Sequence, residues 1–180
     1  NVKSITTMEF KNPGDFIVAI GTLNGSLGGS EYLKTIYDRI EGPIANIDMR
    51  QEHRVQTLVL DSIEQGIVNS AHDLSDGGLA VNIAESILFA KSQIGASLNL
   101  VRKLKDVELL FGECPSVIII TIAEEDLYNL VVLAKKHDVH TQTIGKVTDD
   151  NSLNINDLIS INRSDLKPAY FDSLEKALHS

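Results

Sequence analysis

The segment that decides the fold reads Ser70-Ala71-His72-Asp73-Leu74-Ser75-Asp76-Gly77-Gly78-Leu79-Ala80. Its first residues are typical of a short strand, and the apolar spacing after the two glycines predicts a helix through Leu79, Ile83, Ile87 and Leu88. The first turn of a helix leaves backbone N–H groups unpaired, so a strand, an acidic glycine-rich turn and a helix form the layout of an anion-binding loop. No Gly-Lys-Ser/Thr follows, which excludes a Walker A loop.

The same segment also admits a purely structural interpretation. His72 and Asp73 are neighbours on the predicted strand, so their side chains point to opposite faces and make a poor acid–base pair. His72 would then cap the sheet, while Asp73 or Asp76 holds the turn. From spacing alone, an anion cradle at Asp76, Gly77 and Gly78 and a structural turn both remain open.

Strand-like and helix-like patterns alternate along the whole chain. The run 117–122 is apolar except for Thr121, which indicates a strand buried on both faces, and the helix over 79–90 is expected to pack on it. The turn 148–151 predicts a hairpin between the strands that flank it, so part of the sheet is antiparallel. Further strands are predicted at 5–10, 16–20, 96–100, 139–147 and 152–161, and further helices from residue 31, at 48–65, at 124–136 and at 165–178. The prediction is one α/β (α+β) layered domain over residues 1–180, with a mixed, partly antiparallel sheet and packed helices.

A second glycine-rich segment, Leu27-Gly28-Gly29-Ser30-Glu31-Tyr32, precedes the first predicted helix. Gly28 and Gly29 would let the backbone approach a ligand, and Ser30 stands at the helix start, where phosphate binds well. The alternative is a flexible loop with an N-capping serine. The helix itself places four apolar residues on one face and is expected to end at Gly42-Pro43: Leu33, Ile36, Tyr37 and Ile40.

A third candidate is Phe111-Gly112-Glu113-Cys114-Pro115-Ser116, which lies ahead of the buried strand. Glu113 either faces a ligand at the sheet edge or belongs to a tight turn that Pro115 closes. Cys114 has no base paired with it in the pattern, so a small buried apolar role is expected rather than nucleophilic catalysis. The chain shows no HExxH, GxSxG or CxxC pattern, and we assign no catalytic residue and no metal ligand.

Composition limits the function classes. The net charge is −9 at pH 7, which argues against nonspecific binding to nucleic acid or an anionic membrane. One cysteine in 180 residues suits a reducing compartment, and no apolar run approaches the roughly 20 residues of a membrane span. Asn1-Val2-Lys3 carries no signal-peptide pattern and reads as a cut end. The expected location is cytoplasmic, because the single cysteine fits a reducing cytosol.

Three segments resemble the large, or synthase, subunit of phosphoribosylformylglycinamidine synthase. Residues 27–33 resemble its LGGSEY segment, residues 70–80 its SAHDxS[ED]GGLA stretch, and Leu110-Phe111-Gly112-Glu113 the start of its LFGE[SA]QSR segment. The His-Asp…Gly-Gly signature alone is shared with aminoimidazole ribonucleotide synthetase, selenophosphate synthetase, thiamine-monophosphate kinase and a hydrogenase-maturation protein. The GGSEY segment narrows the choice to the amidine synthase.

The resemblance implies the second C-terminal domain of a multidomain ATP-dependent ligase of purine biosynthesis. In that family, ATP activates the amide oxygen of formylglycinamide ribonucleotide, and ammonia that a glutaminase subunit or domain releases from glutamine displaces phosphate. The catalytic groups, ATP contacts and Mg²⁺ ligands would lie in other domains, so the isolated domain is expected to be inactive and to bind no cofactor. Its expected partners are those domains, the glutaminase and the ribonucleotide substrate, with no nucleic acid and no membrane.

The resemblance also implies which residues face phosphate or ligand at the domain junction. These residues are His72, Asp73, Asp76, Gly77, Gly78, Gly28, Gly29, Ser30 and Glu113. The chain departs from the family after Glu113, where Cys114-Pro115-Ser116-Val117 replaces Ser/Ala-Gln-Ser-Arg, and this suits a structural half of a pseudo-symmetric enzyme. The alternatives are a C-terminal domain of aminoimidazole ribonucleotide synthetase or another superfamily member, and a non-catalytic binding module.

Overall fold

A seven-stranded mixed sheet organises the computed structural model, which describes residues 4–173 and 178–179. The strands and helices follow one another along the chain as β1 Phe16–Ile20, α1 Glu31–Tyr37, α2 Met49–Glu64, β2 Ser70–Asp73, α3 Gly78–Leu88, β3 Gly95–Leu98, α4 Asp106–Phe111, β4 Ile118–Ile122, a 3-10 turn Glu124–Asp126, α5 Leu127–His137, β5 Thr141–Thr148, β6 Ser152–Ile155, β7 Ile159–Asn162 and α6 Arg163–Phe171. The layered α/β class predicted from the sequence is confirmed. No helix in the described residues is long and apolar enough to cross a membrane.

The strand order is β2-β4-β1-β5-β3-β6-β7, and every pair is antiparallel except the parallel pair of β3 and β6. The inner strand β4 is buried on both faces, as its apolar sequence predicted. Ile119 packs on one side with Leu79 and Ile83 of α3, whereas Ile120 packs on the other side with residues of α2 and α5. The sheet therefore lies between two helical layers.

The predicted hairpin across 148–151 is wrong, although the sheet is partly antiparallel. Strand β3 lies between β5 and β6 and pairs with both. Two glycines permit this insertion: a Cβ on Gly145 would stand 2.9 Å from the Cα of Leu98, and one on Gly95 would stand 2.7 Å from the nitrogen of Ser152. The pairing depends on this long-range approach, which a local turn signal does not contain.

Four other boundaries differ from the sequence prediction. Residues 5–10 form no strand, although Thr7 O accepts a hydrogen bond from the N–H of Ala71 in β2. Helix α1 ends at the left-handed Asp38 (φ 52°) instead of Gly42. The strand expected at 152–161 is two strands separated by a turn in which Asn156 has φ 48°, and the sequence patterns missed α4 altogether.

The closing helix was expected over 165–178 and begins earlier, at Arg163. Pro168 consequently lies inside α6 rather than in its first turn. The guanidinium of Arg163 donates to the carbonyl oxygens of Leu88, Ala90 and Ser92, which ties the start of α6 to the end of α3. Residues 174–177 of the expected helix lie outside the described part of the chain.

Candidate functional site

Both glycine-rich segments border one groove of about 310 Å³. Gly28 and Gly29 line it from the loop before α1, while Ser75 and Asp76 line it from the loop before α3, and Glu113 contributes from the segment before β4. The fold thus brings together three segments that are far apart in sequence. Of the nine candidate residues, four line this groove: Gly28, Gly29, Asp76 and Glu113. Gly77 does not line it but is bonded to Glu113, which does.

Glu113 connects the starts of two helices. Its Oε1 accepts the backbone N–H of Glu31, the first residue of α1, at 2.8 Å, and that of Gly77, the N-cap of α3, at 3.2 Å. Two backbone hydrogen bonds with Ser26 hold the segment that carries Glu113 in place. Because unpaired N–H groups give a helix start a partial positive charge, one carboxylate oxygen stabilises both ends.

The other backbone donors assigned to phosphate also have acceptors within the domain. The N–H of Gly78 donates to Ser75 O at 3.1 Å, that of Gly28 to Ser26 Oγ at 3.2 Å, and that of Gly29 to Glu41 O at 2.9 Å. Phosphate binding by these donors stays a prediction, and it requires the existing bonds to be exchanged.

Ser30 caps α1, as the structural alternative for this residue proposed. Its hydroxyl is buried, donates to Leu27 O at 2.7 Å and accepts the N–H of Leu33 at 3.3 Å. Gly28 is also needed for packing, since a Cβ there would overlap the carbonyl group of Pro43. These contacts hold the loop before α1, which contains Gly28, against the segment after α1, which contains Pro43.

Two left-handed glycines start α3. Gly77 has φ 79° and Gly78 has φ 70°, a region that side chains with a Cβ enter at a cost. A Cβ on Gly78 would stand 2.7 Å from the carbonyl carbon of Phe111. The backbone at the start of α3 therefore packs directly against the backbone at the end of α4. The paired glycines are therefore required by the chain's own packing.

His72 and Asp73 face different surroundings. The His72 ring packs on α3, with Nε2 3.4 Å from Glu85 Oε2 and Nδ1 3.5 Å from Ser86 Oγ. Asp73 is exposed and lines an adjoining groove of about 500 Å³, which shares Ile47, Leu74 and Pro115 with the first. The two side chains do not meet, as their adjacent positions on a strand predicted.

The charge of the groove is negative. Asp76 and Glu113 are its ionisable carboxylates, and none of the described residues that line it is a lysine or an arginine. Burial raises the pKa of the Cys114 thiol, so this residue is neutral at pH 7, in agreement with an apolar role. Within residues 4–173 and 178–179, no group of three or more His, Cys, Asp and Glu side chains is placed to hold a metal ion.

Sequence reasoning missed the apolar wall of the groove. Ile44, Ala45 and Ile47 line it from the segment between α1 and α2, and Leu74 lines it from below the acidic turn. The spacing of Ile44 and Ile47 was visible in the sequence, but the segment showed no strand or helix to place it.

The fold is that of a class of α/β domain present in several solved enzymes. PurL of Thermotoga maritima complexed with FGAR matches with a TM-score of 0.73 at 18% identity, over 92% of this chain and 30% of that one. Thiamine-monophosphate kinase from Stenotrophomonas maltophilia K279a matches with a TM-score of 0.54 at 17% identity, over 87% of this chain and 54% of that one. At these identities the matches show the fold alone.

Residues 12–157 match the family described as AIR synthase related protein, C-terminal domain, and the chain belongs to that family. Among its relatives, phosphoribosylformylglycinamidine synthase subunit PurL of Thermoanaerobacter sp. (strain X514) is 38% identical over 147 residues, which are 82% of this chain and 20% of the relative. The PurL subunit of Anaeromyxobacter sp. (strain Fw109-5) is 33% identical over 186 residues, 99% of this chain and 24% of the relative. The resemblance drawn from the three motifs is confirmed, and the chain spans about a fifth to a quarter of these relatives.

Proposed function

We propose that this chain is the C-terminal domain of a phosphoribosylformylglycinamidine synthase, the ligase that makes formylglycinamidine ribonucleotide during purine biosynthesis. The observation that carries the proposal is the 38% identity to a PurL subunit over 82% of the chain. The family match over residues 12–157 includes all nine candidate residues.

The proposed reaction replaces an amide oxygen by nitrogen. The amide oxygen of formylglycinamide ribonucleotide attacks the γ-phosphate of ATP, and ADP leaves. Ammonia then adds to the activated carbon, and the carbon–oxygen bond breaks to release inorganic phosphate and the amidine. Each turnover consumes one ATP and one ammonia, which glutamine supplies through a glutaminase subunit or domain.

The residues of this chain alone do not fit a nucleotide phosphate or a magnesium ion. The helix-start donors are bonded to Glu113, Ser75, Ser26 and Glu41, and the groove carries carboxylates without a basic side chain in its described lining. No step of the reaction is therefore assigned to this chain, and ATP, Mg²⁺ and the catalytic groups belong to the other domains of the enzyme.

The role proposed for this domain is to form one wall of the ligand site. The wall consists of the two glycine-rich helix starts, which Glu113 holds together, and of the exposed carboxylate of Asp76. A neighbouring domain would bring the cation that lets a phosphate approach such an acidic wall. The enzyme would act in the cytoplasm, where its ribonucleotide substrate and its glutaminase partner are.

The test is a substrate comparison on the parent polypeptide that contains this chain. With formylglycinamide ribonucleotide, ATP and ammonia, the purified parent is expected to form the amidine with matching release of ADP. If it instead cyclises formylglycinamidine ribonucleotide, the chain belongs to an aminoimidazole ribonucleotide synthetase. If it turns over neither substrate, or if the gene encodes no further domain, the chain is a binding module and the proposal is wrong.

A further inference from the structure

Helix α1 carries its apolar face towards solvent. Its sequence places Leu33, Ile36, Tyr37 and Ile40 on one face, yet no residue of α1 is buried, and Ile40 just beyond it is 80% exposed. A helix of seven residues is unstable without packing of an apolar face, so its exposed face needs an explanation.

Exposed apolar side chains continue along the chain beyond α1. Ile44, Ile47 and Met49 are also exposed, and we call these three side chains together with Ile36, Tyr37 and Ile40 the 36–49 surface. Ile44 and Ile47 line the candidate groove, and Ile47 and Met49 line the adjoining groove that contains Asp73. The second half of the surface therefore borders the candidate site directly.

The segment that presents these side chains is firmly anchored. Ser30 caps α1, Glu113 binds its first N–H, and the ring of Tyr32 stacks on Phe111 with centroids 5.2 Å apart. Gly28 packs against Pro43, and the N–H of Gly29 binds Glu41 O. Large apolar side chains held outward by a fixed backbone are typical of a protein-binding surface.

We propose that the 36–49 surface docks against another part of the same polypeptide, through an apolar patch that carries lysine or arginine at its edge. The relatives have about four times the length of this chain, so most of such a polypeptide lies outside it. The basic edge follows from the four acids that line the two grooves, namely Glu52, Asp73, Asp76 and Glu113. A second copy of this chain fits less well as the partner, because two chains that each carry a net charge of −9 would repel each other.

This inference rests on the proposed function only in that the chain is one domain of a longer protein. Docking would place the partner's cation beside Asp76 and Glu113, which completes the acidic wall. It would also bury the apolar face of α1, which accounts for the sequence pattern that the isolated fold leaves unused.

Hydrogen exchange followed by mass spectrometry on the parent polypeptide and on the 180-residue chain tests the inference. Amides of residues 36–49 are expected to exchange at least about tenfold more slowly in the parent. Ile40→Asp should abolish that protection, while the matched control Leu60→Asp, which alters an exposed leucine of α2, should leave it intact. Neither change should shift the melting temperature of the 180-residue chain, since both side chains point to solvent.

Equal exchange in the two proteins would overturn the inference, as would loss of protection in both variants. Protection that rises with the concentration of the 180-residue chain alone would assign the surface to a second copy of this chain and overturn docking against another part of the same polypeptide. The readout does not use activity. A parent that protects residues 36–49 but makes no amidine would refute the proposed reaction and leave the docking surface standing.

Discussion

The carboxylate of Glu113 accepts the backbone N–H of Gly77 at 3.2 Å, so the start of α3 already holds an anion that belongs to the chain itself. The same oxygen accepts the N–H of Glu31 at the start of α1. A helix start of this kind is the feature from which the sequence predicted phosphate binding. Glu113 therefore does more than line the candidate groove: it also joins the two helix starts that form the walls of the groove.

Replacement of Glu113 tests this joining role. Glu113→Ala leaves two N–H groups without their acceptor and is expected to lower the free energy of unfolding by about 1–3 kcal/mol. Glu113→Gln keeps an oxygen of similar reach and is expected to cost less than Glu113→Ala. Urea unfolding of the three proteins measures the difference, and a loss under about 0.5 kcal/mol for Glu113→Ala would show that the bonds contribute little.

The glycine pair offers a comparison between backbone strain and close contact. Gly78 and Gly66 both have positive φ, but a Cβ on Gly66 meets no atom within 4 Å, whereas one on Gly78 would meet the backbone of Phe111 and Gly112. Gly66→Ala is expected to cost about 1 kcal/mol from conformation alone. Gly78→Ala should cost at least 1 kcal/mol more, roughly the cost of overpacking. Equal costs in a denaturant melt would contradict the close approach of α3 to α4.

The core position of β4 is tested by Ile119→Ala. Ile119 is 1% exposed and packs with α3, so the cavity left by truncation is expected to cost about 2–5 kcal/mol. Val132→Ala on the outer face of α5 is the control, because Val132 is half exposed and its truncation should cost under about 1 kcal/mol. If Ile119→Ala cost less than about 0.5 kcal/mol, the strand would not be in the core.

Asp61 is expected to contribute to stability in acid. A hydrogen bond from His137 at 2.8 Å, together with the charge of Lys136, lowers the pKa of the Asp61 carboxyl below its ordinary value of 3.8. A lowered folded-state pKa contributes stability that is complete above the unfolded pKa and is lost as the pH falls through the folded pKa. Asp61→Asn should therefore flatten the fall in melting temperature below about pH 4. If the melting temperature of the variant fell with pH as steeply as that of the original protein, Asp61 would not contribute to the loss of stability in acid.

Local patterns predicted the elements whose signals are complete within one segment. Strand β1 has the bounds expected from its apolar run, and α2 begins after Asp48, which caps it, and carries the predicted inner residues Val55, Leu58 and Val59. Helix α3 begins at the second glycine of the pair, and β4 is buried on both faces. In each case, burial or capping of residues close in sequence decides the structure.

Features that depend on distant residues could not be predicted in the same way. The insertion of β3 between β5 and β6 and the bond of Glu113 to Glu31 both join residues far apart in sequence. The outward face of α1 is a different case, because its apolar spacing was recognised but no packing partner could be assigned to it. Periodicity reports that a face is apolar but does not say which surface covers it.

Amidine formation, measured on the 180-residue chain and on its parent polypeptide, tests most directly whether this domain works only as part of a larger enzyme. Both proteins receive formylglycinamide ribonucleotide, ATP, Mg²⁺ and ammonia under the same conditions. The parent is expected to form the amidine with one ADP for each product, while the 180-residue chain gives neither amidine nor ADP above background. Turnover by the 180-residue chain alone would contradict the account, as would a parent that makes no amidine.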